Sequence, residues 1–245
     1  MFSSQLINAL KFMKKLTVLT GAGISAESGV PTFRGEEGLW KKFRPEELAN
    51  VKAFMRNPRL VWEWYDYRKK LISEVRPNPG HDALVKMEAL APEFCLITQN
   101  VDGLHIKAGS INVHELHGSL RQVVCMECSS LSDMDSAMSR VIKGENPPHC
   151  EDCGGVLKPN TVFFGEALPR IPWEESVELV KKSDLLLTIG SSLQVSPANI
   201  LPDFAIKNGA KIVIMNQMPT PYDTDAKIVI RDKIGEFSKK FIDFL

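Results

Sequence analysis

The sequence predicts an α/β fold, a doubly wound parallel sheet with a smaller second lobe, and three observations predict it. Apolar runs of strand length recur at 16–20, 94–98, 112–116, 184–189, 211–215 and 226–230, with helical spacing between most of them. Such alternation is the pattern of βαβ units in a parallel sheet. The first run, Leu16-Thr17-Val18-Leu19-Thr20, breaks directly into Gly21-Ala22-Gly23-Ile24-Ser25-Ala26, a strand–glycine–helix passage of the Rossmann-like kind. Two stretches then interrupt the alternation: 36–78 is helical and aromatic, and 124–156 carries most of the cysteines. On this division, 1–35, 79–123 and 157–245 form the Rossmann-like domain, while 36–78 and 124–156 build the small lobe.

Each element has its own chemistry. Glycines after the first strand let the backbone approach a pyrophosphate, and a helix start offers it free N–H groups. A dinucleotide dehydrogenase should add a second strand ending in an acidic residue about 20 positions on, to hold the ribose. That region here reads Leu39-Trp40-Lys41-Lys42-Phe43-Arg44-Pro45-Glu46-Glu47, which is no strand. Glu46 and Glu47 after Pro45 suit a helix N-terminus instead. The pattern therefore points to NAD bound without hydride transfer.

Lysine plus arginine and aspartate plus glutamate number 30 each in 245 residues, so the formal net charge is zero. Bulk electrostatic binding of nucleic acid is disfavoured. Residues 1–15 place Leu6, Ile7, Leu10 and Phe12 or Met13 at helical spacing without the apolar core of a leader, which predicts a docked helix and a cytoplasmic protein. No run approaches the length of a membrane span. The sequence sets no oligomeric state.

Five cysteines fall as Cys95, Cys125-Met126-Glu127-Cys128 and Cys150-Glu151-Asp152-Cys153. Two Cys-x-x-Cys pairs separated by residues 129–149 have zinc-ribbon spacing. Four thiolates close the coordination sphere, so one zinc per chain would be structural, with no position left for a water. His149 beside Cys150 reads as a loop residue, and Cys95 as a buried strand residue.

Ligands of such sheets bind at the carboxyl ends of the strands. Gln99, Asn100, Val101 and Asp102 follow one strand, and their polar groups suit a ribose, a carboxamide or a fixed water; a capped turn is the competing reading. His117 ends the next strand and has the pKa range of a general base, against a satisfied core histidine. Gly190-Ser191-Ser192 offers small groups to a phosphate or ribose, or forms a plain turn. Asn216 stands where the adenine-side ribose hydroxyls would lie, in place of the missing acid.

Together these segments resemble the sirtuin family of NAD-dependent protein-lysine deacylases, from about residue 12 to the end. The resemblance rests on Gly21-Ala22-Gly23-Ile24-Ser25, Gly29-Val30-Pro31-Thr32-Phe33-Arg34, Thr98-Gln99-Asn100-Val101-Asp102, Leu116-His117-Gly118, both cysteine pairs and Phe164-Gly165-Glu166. It implies that an acyl-lysine oxygen displaces nicotinamide from NAD, with His117 as base on a ribose hydroxyl. The products would be lysine, nicotinamide and O-acyl-ADP-ribose. It further implies that Gln99, Asn100 and Asp102 orient the ribose and carboxamide, that Phe33 shields the ribose carbon, and that Arg34 with Thr32 belongs to the loop above it. Ile234 would face adenine. An acylated peptide would lie as a β-strand between Val162-Phe163-Phe164-Gly165-Glu166 and the loop holding Val195.

The segment 61–72 reads as a helix that sets Tyr65 and Arg68 three apart on one apolar face. An arginine there needs an acceptor, and its fork suits a carboxylate. The pair resembles the Tyr-x-x-Arg of the sirtuin branch that removes succinyl and malonyl groups. Competing readings are an internal pair with Glu63 or Asp66, or a side chain reaching solvent. Ser191 stands where threonine is frequent in the family, and Asn160-Thr161 precedes Val162 where Gly-Val or Asp-Val is frequent. Mono-ADP-ribosyl transfer and plain deacetylation are the alternative activities.

Overall fold

The computed structural model describes residues 14–35, 38–236 and 238. Of the helix expected over 1–15, residues 1–13 lie outside the described residues, and Lys15 already belongs to the first strand. The strands in chain order are β1 (Lys15–Thr20), β2 (Glu93–Thr98), β3 (Val113–Glu115), β4 (Gly118–Cys125), β5 (Leu131–Asp133), β6 (Leu157–Thr161), β7 (Leu185–Ile189), β8 (Lys211–Met215) and β9 (Ile228–Ile230).

Six of them form one parallel sheet in the order β3-β2-β1-β7-β8-β9. The chain starts in the middle, winds one way through β2 and β3, and later returns to wind the other way. The switch point lies between β1 and β7, where an open α/β sheet leaves a crevice at its carboxyl ends. Both faces are covered, and the side chains divide with period two. Leu16, Val18, Leu185, Leu187, Val213 and Met215 enter one core, while Leu19, Leu186, Ile212 and Ile214 enter the other.

The remaining three strands form an antiparallel sheet, β5-β4-β6. It begins at Gly118 and ends at Thr161, outside the 124–156 stretch on both sides, because the cysteine turns need paired strands to stand on. The sequence between the cysteine pairs, read as a linker, contains a helix at Met134–Ile142 capped by Asp133, which accepts from Ser136 N–H at 2.8 Å. Met134, Ala137 and Met138 sit on one face of it and are buried.

Of the segment 36–78, the described residues from 38 on form a run of short helices leading into Pro58–Ile72. Asn57 caps that helix and Pro58 occupies its first turn. Its buried face, Val61, Trp62, Trp64 and Tyr65, shares a single core with Val123, Cys125 and Leu157 of the antiparallel sheet. Trp62 also donates its indole N–H to Leu157 O at 3.0 Å, closing the seam between helix and sheet. Among the described residues no helix is long and apolar enough to cross a membrane.

The main sheet closes over glycines. Gly190 follows β7 with φ +64°, and a Cβ there would stand 2.4 Å from Ile24 N and 2.6 Å from Gly23 C. Gly190→Ala should therefore displace the first turn and lower unfolding free energy by about 1–3 kcal/mol, read as a drop in denaturant midpoint at unchanged slope.

Candidate functional site: a two-lobe cleft over the parallel sheet

A cavity of about 730 Å³ opens at the switch point between the two lobes. Its floor comes from the turns after four neighbouring strands: Gly21-Ala22-Gly23 after β1, Gln99-Asn100-Val101 after β2, Gly190-Ser191-Ser192 after β7 and Asn216 after β8. Ala26, Thr32, Phe33, Arg34 and Ile234 also line it, and His117 stands on its wall. Tyr65, Arg68, Val162, Phe163, Phe164, Gly165, Glu166 and Val195 complete the side towards the small lobe. Residues far apart in sequence are thus brought together as the motifs anticipate.

Three expected contacts stand elsewhere: Ile24, Ser25 and Asp102 are not among the lining residues. Ile24 and Ser25 are fully buried beneath the first turn. Ser25 donates its hydroxyl to Asp102 Oδ2 at 2.7 Å and accepts from Asn100 Nδ2 at 3.2 Å. Asp102 Oδ1 accepts from Leu104 N–H at 2.9 Å, the capping role weighed for it. Asn100 N–H donates to Thr98 Oγ1 at 3.0 Å, so its position is set from below and from the side. The helix after the glycines is a single turn, Gly23–Ala26, and the amides of Gly21, Gly23, Ile24 and Ser25 bond within the protein.

His117 has an assigned proton. Its Nδ1 lies 2.9 Å from Gln99 O, and a carbonyl only accepts, so Nδ1 carries the hydrogen and Nε2 keeps its lone pair. Burial pushes the imidazole below the ordinary histidine range, and the Gln99 bond opposes this in part. A neutral base is therefore present at neutral pH. Gln99 also donates from Nε2 to Ser191 Oγ at 2.8 Å, tying the β2 and β7 turns together.

Arg68 is half-buried and lies on the cavity wall. Its Cζ stands 5.1 Å from the Phe33 ring centroid and 5.7 Å from that of Tyr65. Among the described residues no carboxylate pairs with it. Glu63 is held by Arg59 at 3.2 Å and Asp66 by Lys70 at 2.6 Å, so neither acts as an internal partner. Burial pushes the Arg68 guanidinium down and the Tyr65 phenol up, each opposed by the other.

The four paired cysteines converge. Cys125, Cys128, Cys150 and Cys153 place their Sγ atoms within 4.8 Å of one another, and all five cysteines are free thiols. Sγ–Sγ distances of 3.4 Å (Cys125 to Cys153) and 3.8 Å (Cys128 to Cys150) approach the edge of about 3.8 Å that a tetrahedron with Zn–S bonds of about 2.3 Å requires. Backbone N–H groups of Glu127 and Gly155 point at Cys125 and Cys153 sulfurs, each at 3.4 Å, as thiolates require. The donor set fits structural zinc. His149 lies outside the cluster, 3.6 Å from Glu145, and Cys95 is buried in β2.

Sequence reasoning missed Thr161, Trp64 and Glu27 on the cavity wall. Trp64 was visible only as part of an apolar stripe. Glu27 accepts from Gly235 N–H at 2.8 Å, a long-range bond with no local pattern.

With this geometry in place, the relatives agree. The sequence profile of the Sir2 family matches residues 21–197. An NAD-dependent protein deacylase of Aquifex aeolicus is 48% identical over 230 residues, covering 94% of this chain and 95% of that protein. The NAD-dependent protein deacylase 1 of Archaeoglobus fulgidus is 42% identical over 238 residues, covering 97% and 96%. Among solved structures, a mutant Sir2 homologue complexed with ADP-ribose superposes with TM-score 0.93 at 41% identity, covering 99% of this chain and 96% of that one. A Sir2 complex with a p53 peptide and NAD+ gives TM-score 0.92 at 31% identity, covering 100% and 98%. The fold and the cleft define a nucleotide-binding α/β protein with a zinc ribbon. The chain belongs to the Sir2 family.

Metal analysis should return one zinc per chain. Cys128→Ser should lower that content and the melting temperature together, since the ribbon and the tryptophan helix share one core.

Proposed function

We propose that the chain removes acyl groups from protein lysines while consuming NAD, and that its pocket accepts acidic acyl groups, succinyl and malonyl, beside acetyl. As a Sir2 protein it is an NAD-dependent protein deacylase; the acidic-acyl preference is the finer reading. A single observation carries it: Arg68 lies on the cavity wall without a carboxylate partner among the described residues, while both carboxylates of its own helix within reach are taken. A guanidinium so placed binds a carboxylate through charge-assisted bonds, and the Tyr65 hydroxyl beside it is a second donor.

NAD, when bound, supplies the ribose carbon that accepts the acyl oxygen as nicotinamide leaves. The residues that would hold it are the Gly21–Gly23 turn, Ser191 and Ser192 for the phosphates, Asn216 and Ile234 on the adenosine side, and Gln99 and Asn100 at the reacting ribose. His117 Nε2 takes the proton from a ribose hydroxyl, and the bond from Nδ1 to Gln99 O steadies the ring as it becomes charged. Phe33 covers the reacting carbon against water, held in a tilted ring contact with Trp40 at a centroid distance of 5.1 Å. Asp102 acts through Ser25, which fixes Asn100.

The acylated peptide would join the 162–166 segment as a strand. Much of that backbone is already used: Val162 N–H donates to His117 O, and Phe164 pairs through N–H and O with Ala49 and Val51. Gly165 has neither backbone group bonded among the described residues, so strand addition centres there, opposite Val195. Free cysteines and a thiolate metal site suit a reducing compartment such as the cytoplasm.

On matched acetyl- and succinyl-lysine peptides, Arg68→Met should lower kcat/KM for the succinyl peptide about 10- to 100-fold and leave the acetyl peptide within about threefold. Equal behaviour of wild type and variant towards both peptides would make Arg68 a structural residue and the protein a plain deacetylase. Labelled ADP-ribose on protein without O-acyl-ADP-ribose would instead favour ADP-ribosyl transfer. The neutral base sets the pH response. Activity needs unprotonated His117, whose pKa burial lowers, so the rate should fall as pH drops through that value. The acid limb of the kcat/KM profile should lie below the ordinary histidine value of about 6.5 and vanish with residual turnover in His117→Ala.

A further inference from the structure

Thr161 ends β6 and is 5% exposed, yet lines the cavity. Its backbone is held from two directions. On one side it pairs with Gly118, the neighbour of the base His117. On the other, its carbonyl accepts from Lys158 Nζ at 2.7 Å. Lys158 is itself buried, pairs with Glu166 at 3.0 Å and stands 4.1 Å from the Phe163 ring centroid. Glu166 also accepts from Phe163 N–H at 2.7 Å. The Thr161 side chain is thus presented from a fixed backbone, and its Oγ1 lies 2.6 Å from Tyr65 Oη in a buried pair of hydroxyls.

We infer that Thr161 is a specificity-determining positioning residue, whose hydroxyl donates to Tyr65 and thereby aims the Tyr65 proton at an acidic acyl group. The inference rests on the acidic-acyl reading of the pocket. One hydroxyl of the pair must donate to the other, and the ligand decides which. A carboxylate lying between Tyr65 and Arg68 only accepts, so Tyr65 donates to it. The Tyr65 oxygen then presents its lone pairs to Thr161, which donates in turn. All three groups are satisfied, and the two hydrogen bonds run in one direction and polarise each other. A neutral acetyl group is shorter and supplies no acceptor there. The space it leaves is open to water, which can serve Tyr65 whether or not Thr161 carries a hydroxyl.

Valine has the shape of threonine without the hydroxyl, and serine keeps the hydroxyl without the methyl. Succinyl- and acetyl-lysine peptides would be compared on wild type, Thr161→Val, Thr161→Ser and Arg68→Met. Thr161→Val should raise KM for the succinyl peptide about three- to tenfold, leave the acetyl peptide within about twofold, and be largely rescued in Thr161→Ser. An unchanged or increased succinyl preference in Thr161→Val, with Arg68→Met still abolishing that preference, would overturn the role of Thr161 and leave the acidic-acyl reading standing. Equal losses on both peptides would make Thr161 a structural residue and overturn it too. A wild type with no succinyl activity, unaltered by Arg68→Met, would remove the acidic-acyl reading and this inference with it.

Discussion

Where β1, β7 and β8 end, three turns meet with almost no side-chain volume between them. Gly23 N–H donates to Gly190 O at 2.8 Å, Gly21 N–H to Ile189 O at 3.0 Å, and Gly190 N–H to Met215 O at 2.8 Å. Any Cβ on Gly21 or Gly23 would stand within 3 Å of the Gly190 residue. This backbone contact fixes the floor of the cleft at the switch point of the sheet. The glycines thus close strand ends against each other as much as they admit a phosphate. Everything above depends on that floor: Ser191 meets Gln99 across it, and the Gln99 carbonyl then decides which nitrogen of His117 keeps its lone pair.

The small lobe solves a different problem. Its sheet has only three strands, and such a sheet has little core of its own. Four thiolates at one end supply a covalent-like constraint, and the tryptophan helix supplies the apolar partner at the other. Trp62 is fully buried in that seam, and Tyr65 and Arg68 follow on the same helix. The zinc ribbon is far from any reacting atom in role, but it supports the surface against which the helix of Tyr65 and Arg68 is packed. Loss of metal would therefore bear on the cavity wall at Tyr65 and Arg68 through packing rather than chemistry.

The parallel sheet was legible because buried strands read as apolar runs, and all six lie within a residue or two of their expected bounds. The cysteine ribbon was legible because metal geometry ties ligand spacing to fold. The cavity-lining turns followed from their places at strand ends. What the sequence did not disclose is of another kind. Ser25 and Asp102 belong to motifs that suggest direct contact, yet their side chains face each other behind the wall, because hydroxyl and carboxylate satisfy one another there. Strands β5 and β6 are too short to show a period, and the eight residues of β4 do not alternate, because its register shifts between Gly118 and Val123. Thr161 is one hydroxyl in an unremarkable polar run, and its meaning appears only once Tyr65, 96 positions away in sequence, is placed opposite it.

On the proposed reading, acceptance of an acidic acyl group need not exclude a neutral one, and the surroundings of Arg68 give the reason. An arginine buried alone would make the empty or acetyl-filled pocket costly, since an unpaired charge loses its hydration. Here the guanidinium lies near the faces of Phe33 and Tyr65, and the residue is only partly buried. The rings offer partial compensation for lost water, while any carboxylate that enters finds an undivided charge. The selectivity proposed for this pocket would arise from what the acid gains rather than from any clash with its competitor. On the proposed reading Phe33 would serve both halves of the reaction: its ring lies beside the Arg68 guanidinium, and from the cavity wall it would cover the carbon at which the acyl oxygen arrives.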